Sequence, residues 1–197
     1  MKLSSALSLL ALAVVPAVSS ATSAFVIDFN AGLGTNAFVA DTYAVQGVSF
    51  NDNVLFLEND AAGTYFTDAN RGTGIAYVST DAPAYMNVAA AVDYKLTFDY
   101  TTLLDVTISA YSGLNGTGTL LGSYTLTANT IDAANDQWTT ATFNFAGQAK
   151  SFDLRGLAAA GSYAAIDNVT AVPEPTSLAL LGAALGVVGF AARRRQA

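Results

Sequence analysis

Hydrophobic and polar positions alternate with a period of two through most of the chain. The clearest run is Tyr94-Lys95-Leu96-Thr97-Phe98-Asp99-Tyr100. It places Tyr94, Leu96, Phe98 and Tyr100 on one face of a strand and Lys95, Thr97 and Asp99 on the other. Val106, Ile108 and Ala110 repeat the pattern, as do Phe143 and Phe145 after Trp138. Ten segments read as strands: Phe25–Phe29, Val45–Phe50, Val54–Leu57, Ile75–Ser79, Tyr94–Tyr100, Asp105–Tyr111, Leu120–Leu126, Gln137–Phe145, Lys150–Leu154 and Tyr163–Thr170. Turn-forming stretches separate them, among them Asn51-Asp52-Asn53, Asn59-Asp60, Asn115-Gly116-Thr117-Gly118 and Asp132 to Asp136. Short strands at this spacing predict an all-β fold, an antiparallel two-sheet sandwich of the jelly-roll kind. Phe98 is expected in its core, and Asp99 in solvent with little effect on stability.

The alternation stops at both ends. Met1-Lys2 is a positive start, Leu3 to Val15 an apolar run of thirteen residues, and Pro16 and small residues follow. This pattern predicts a secretory signal peptide, residues 1–21, cut after Ala21, with Ala24 the second choice. At the other end Thr176 to Ala192 is seventeen residues without a charge. As a helix it would be roughly 26 Å long at about 1.5 Å per residue, a short single transmembrane span. Arg193, Arg194 and Arg195 in the tail 193–197 hold that end on the cytoplasmic side as a stop-transfer signal. Pro173 and Pro175 keep the chain extended just before the span. Between these ends lies a β-sandwich ectodomain, residues 22–171, of the usual size for one domain.

Val172-Pro173-Glu174-Pro175, one short apolar helix and three terminal arginines, in that order at the extreme C-terminus, resemble the PEP-CTERM sorting signal of exosortase substrates. The resemblance covers residues 172–197. It implies export through the inner membrane of a Gram-negative bacterium, transient anchoring there and cleavage by an exosortase. It also implies a final place at the cell surface or in the extracellular matrix, with a link to exopolysaccharide or biofilm.

Charge changes the picture of the middle. Between the two ends stand four basic residues (Arg71, Lys95, Lys150, Arg155) and fourteen acidic ones, a net −10 against −7 for the whole chain. Such a surface repels phosphate backbones, which argues against nucleic acid as a partner. There is no cysteine and no histidine. A disulfide framework, Ser-His-Asp and Cys-His catalysis, and the usual zinc ligand sets are therefore absent.

Phe25-Val-Ile-Asp28 opens the ectodomain and Ile166-Asp167-Asn168-Val169 closes it. The closing strand resembles that of carbohydrate-binding jelly rolls, which implies that Asp28 and Asp167 could share a structural calcium. Read plainly, both are outward-facing strand residues. The acids and amides of 51–53, 58–60 and 68–70 fit no calcium-loop spacing and read as turns. Tyr43, Tyr65, Phe66, Tyr77, Tyr85, Tyr111, Tyr124 and Trp138 would stack on sugar rings wherever they are exposed, and Tyr65, Phe66 and Tyr85 are the best placed for that. Asp99 and Asp105 flank a hairpin, but no acid has the apolar surroundings of a general acid, so no catalytic residue is assigned. The leading expectation is a non-enzymatic surface or matrix protein. The alternative is a carbohydrate-binding module, calcium-dependent or not, and a third reading is a polysaccharide-active enzyme.

Overall fold

A computed structural model describes residues 24–58, 74–131 and 136–172. Ala21 and the signal peptide, Pro173, Glu174 and Pro175, the span 176–192 and Arg193, Arg194 and Arg195 lie outside the described residues. So do Asn59, Asp60, Tyr65, Phe66 and Asp68 to Asn70. Among the described residues, no helix is long and apolar enough to cross a membrane.

Nine strands make up the described fold: β1 (Phe25–Ile27), β2 (Val48–Phe50), β3 (Val54–Glu58), β4 (Gly74–Val78), β5 (Tyr85–Thr101), β6 (Val106–Tyr111), β7 (Leu120–Leu126), β8 (Thr139–Asp153) and β9 (Ala165–Ala171). Every pairing is antiparallel, so the all-β antiparallel expectation holds. The two separate sheets do not. The strands form one hydrogen-bonded sheet in the order β3-β4-β9-β5-β8-β6-β7, with β1 added to β9 and β2 to β5.

The reason lies in β5 and β8, which are 17 and 15 residues long. The first part of β5 pairs with β2 (Val48↔Val88), and its second part with β9 (Tyr100↔Ile166). The end of β8 pairs with β6 (Ala110↔Phe152). Between these parts the β5–β8 register shifts twice, from Asn87 to Val92 and from Asp93 to Lys95. Ala91 (φ 66°), Tyr94 (φ 53°) and, on β8, Gly147 (φ 76°) take left-handed backbone there. Such bulges bend a strand without ending it. The sheet therefore curls until its two halves face each other: Met86, Ile108 and Leu154 meet Leu96, Phe98, Ile166 and Val169 around an apolar void of about 10 Å³.

The same bulge corrects the alternation read from the sequence. Leu96, Phe98 and Tyr100 are buried as expected, but Tyr94 lies within the register shift and is 52% exposed. Asp99 is also not in solvent: it is only 8% exposed. The expected strands Gln137–Phe145 and Lys150–Leu154 merge, from Thr139 to Asp153, into one strand, β8, and Tyr85–Asp93 belongs to β5. Phe143, Phe145 and Phe152 pack edge to face at 5.4–6.2 Å, and Phe29, Phe56 and Phe98 are likewise buried. Each such ring contributes about 1.5–3 kcal/mol by leaving water, which supplies the core that a chain without disulfides needs.

Candidate functional site

The functional features sit along β9. This strand lies between β4 and β5, and its last residues also carry β1: Phe25↔Ala171, Val26↔Thr170 and Ile27↔Val169. Phe25 and Ile27 point into the core and Val26 outward, so three residues of alternating sequence suffice to pin the N-terminal strand. The two ends of the ectodomain thus leave it side by side. Ala171 is buried, and Val172, the next residue, is 62% exposed. The first residue of the Val-Pro-Glu-Pro motif therefore meets solvent directly where the last strand ends, with no linker between.

Four residues back, β9 carries Asp167, which is fully buried. One of its oxygens accepts the Asn168 N–H at 2.7 Å, and Asp99 on β5 stands directly across from it. Asp99 in turn accepts hydrogen bonds from the Thr140 hydroxyl and from the Asn168 amide at 3.0 Å. Asp28, at the end of β1, is exposed and caps its own turn by accepting the Asn30 N–H at 3.2 Å. Phe29 (φ 48°) and Asn168 (φ 50°), the residues after the two candidate ligands, are both left-handed. Both carboxylates act on Tyr43, a core residue. Burial, then the negative charges of Asp28 and Asp167, pushes its phenol up to about 12.

The fold therefore brings Asp28 and Asp167 into one neighbourhood, but Asp167 is no outward-facing residue. Calcium takes six to eight oxygens. Among the described residues no group of three or more His, Cys, Asp or Glu side chains could hold a metal.

The aromatics divide sharply. Tyr43 is core, and Tyr124 packs on Phe143 at 5.6 Å. Trp138 packs with Leu57 and Tyr77 on Ile75 and Ala165, a second small cluster on the outer face of the sheet. Tyr85 and Tyr111 are half-buried, and Tyr85 lies under the Arg155 guanidinium at 6.0 Å. Arg155 is clamped to the carboxylate of Asp153 by three side-chain hydrogen bonds, which together with the charge of Asp153 raise the already high pKa of the guanidinium. Sequence reading missed this pair, because Asp-Leu-Arg looks like any strand end.

It also missed Tyr163, which is 54% exposed just before β9. The run Ala158-Ala159-Ala160-Gly161 shortly before it reads as a loop, and a tyrosine just beyond such a loop is well placed for display. Tyr163 lines a groove of about 530 Å³ together with Leu57, Tyr77, Ser79 and the segment 157–164. The acid- and amide-rich turn at 51–53 is structural. The Asn53 amide donates to Thr80 O and Ala82 O at 2.8 and 2.9 Å, and Asn51 accepts the Tyr85 N–H at 2.9 Å.

Residues 171–195, beginning on the last residue of β9, match the PEP-CTERM protein-sorting motif. The chain carries a PEP-CTERM sorting signal. Such a signal implies secretion, a C-terminal membrane-anchoring segment, an exosortase as processing partner and a destination at the surface. No curated protein matches the chain. Among solved structures it resembles the adhesin domain of Lys-gingipain from Porphyromonas gingivalis W83, with 14% identity, 65% of this chain and 99% of that one covered, and a TM-score of 0.41. A second is the CBM22-1 xylan-binding domain of Paenibacillus barcinonensis Xyn10C, with 9% identity, 76% and 95% covered, and a TM-score of 0.41. A third is TmCBM61 in complex with β-1,4-galactotriose, with 15% identity, 64% and 87% covered, and a TM-score of 0.35. At these scores the likenesses are loose.

Proposed function

We propose that this chain is a non-enzymatic protein of the bacterial surface or extracellular matrix. The ectodomain is exported and held at the inner membrane by its tail. An exosortase then cuts the tail, and the domain is handed on to the exopolysaccharide around the cell. The observation that carries the reading is the junction at Ala171–Val172: the sorting signal begins on the last residue of a strand paired along both edges and emerges exposed. A folded domain joined this closely to the signal stays at the membrane until the tail is cut. A passive role fits the buried acids, since Asp99 and Asp167 lie within the fold, with Asp99 tied to Thr140 and Asn168. The chain also has no histidine or cysteine to supply a nucleophile or base.

The test is the C-terminus of the mature protein. Mass spectrometry of material from exosortase-positive cells is expected to show loss of the span 176–192 and the arginines. Material from cells lacking the exosortase, or a variant with Pro173 and Pro175 changed to alanine, retains them. The same C-terminus in all three refutes the reading.

A further inference from the structure

We propose that the groove between the end of β4 and the start of β9 binds a neutral polysaccharide, with the rings of Tyr77 and Tyr163 as its stacking surfaces. Three observations carry this. First, none of the residues lining the groove is charged, in a domain of net −10. A uronate or phosphate polymer is repelled by the surrounding surface and finds no cation in the groove, whereas a neutral sugar needs none. The lining offers aromatic faces, apolar side chains, the exposed Ser79 hydroxyl and the backbone of a loop of small residues. That is what a pyranose ring requires: a flat apolar face for its C–H groups and uncharged donors and acceptors for its hydroxyls. The volume of about 530 Å³ suits a short stretch of sugar rings.

Second, the groove is built in advance. The Tyr77 hydroxyl donates to Asn36 Oδ1 at 2.6 Å, which fixes its ring. Tyr163 holds a left-handed backbone (φ 44°), unusual for a bulky residue. It is kept there by Ser162, whose hydroxyl donates to Leu157 O at 2.8 Å, whose N–H donates to Ala159 O at 2.9 Å, and whose carbonyl accepts the Leu103 N–H at 2.8 Å. Strain of this kind persists only where the surroundings enforce it, and a ring already held, as that of Tyr77 is, loses little entropy on binding.

Third, the groove lies at the start of β9 and the sorting signal at its end, seven residues away. At about 3.3 Å per residue the two are roughly 20 Å apart along the strand, so a domain held by its tail carries the groove at its outer end. This last point rests on the function proposed above, and it favours matrix polymer over lipid as the occupant.

The experiment is calorimetric titration of the purified full chain in detergent with cellotetraose, xylotetraose and β-1,4-galactotetraose, and with tetragalacturonate as the acidic counterpart. At least one neutral oligosaccharide is expected to bind and the galacturonate not to. Tyr163→Asn, which tolerates the left-handed backbone but removes the ring, is expected to weaken binding about tenfold or more, and Tyr94→Ala, at an exposed tyrosine elsewhere, to leave it unchanged. Thermal melts confirm that both variants are folded. Equal binding by the Tyr163→Asn variant, preference for galacturonate, or no binding of any neutral sugar by folded wild-type chain overturns the proposal. Self-association lost in Tyr163→Asn, with no sugar bound, assigns the groove to a second copy instead. None of these results touches the tail-processing test, so the two readings fail separately.

Discussion

Gly156 offers a sharp test of the packing that carries the groove. It sits in the 3-10 turn Arg155–Ala158, and a Cβ placed on it would lie 1.9 Å from the Thr107 carbonyl oxygen and 2.9 Å from its carbon, both backbone atoms of β6. Its φ is not left-handed, so the cost of Gly156→Ala is purely steric. Opening that contact to an ordinary separation moves the turn by more than 1 Å on the scale of normal carbon–oxygen contacts, about 3.4 Å. Leu157 is then pulled from the core, and the Asp153–Arg155 clamp and the Ser162–Leu157 bond are stretched. Overpacking of this kind costs about 1–3 kcal/mol, and against rigid backbone the upper end, about 3 kcal/mol, is expected. Two other glycines calibrate the result, because nothing lies within 4 Å of either Cβ position. Gly34→Ala is expected within about 0.5 kcal/mol of wild type. Gly147→Ala, at φ 76°, is expected to cost about 1–2 kcal/mol from backbone strain alone. Urea unfolding of the full chain in detergent, followed by the fluorescence of the single tryptophan, Trp138, reads all three. If Gly156→Ala costs less than Gly147→Ala, the turn does not seat on β6 as described.

Phe98→Ala is expected to cost about 3–5 kcal/mol in the same assay, and Lys95→Ala, at an exposed residue, less than about 0.5 kcal/mol. Asp99→Ala is expected to cost about 2 kcal/mol, because it removes a charged acceptor from Asn168 and Thr140, and a loss no larger than that of Lys95→Ala refutes the burial of Asp99. The Tyr43 phenol is raised from 10 to about 12, so the stability it contributes is complete below pH 10 and is lost as pH rises through about 12. Unfolding curves between pH 9 and about 12 are expected to show that loss, reduced but not abolished in Tyr43→Phe, since Tyr77 and Tyr100 are raised in the same direction. If Asp28 and Asp167 share a structural calcium, chelation lowers the melting temperature and Asp167→Asn abolishes the response. A melt indifferent to chelator assigns the two acids to the packing around Tyr43 alone.

The sequence by itself determined the class of the fold and the address of the protein. Period-two alternation such as Leu96, Phe98 and Tyr100 is a local property, written wherever a strand buries one face, and it survives into the structure. The sorting signal is also local and linear, because it is read from composition and order, so Val172 to Arg195 could be recognised without a fold. Tertiary structure alone decided the rest. The bulges at Ala91, Tyr94 and Gly147 that turn a two-sheet sandwich into one curled sheet leave no periodic trace, since an alanine or tyrosine takes left-handed backbone only under the pressure of its neighbours. Asp99 and Asp167 stand on strands sixty-eight residues apart, and only the β5–β9 register sets them opposite each other inside the fold. The groove is decided in the same way: Tyr77 reads as an ordinary strand tyrosine and Tyr163 as the first residue of a strand. It is the pairing of Tyr77 with Ala165 that brings the end of β4 to the start of β9 and places both rings in one cleft.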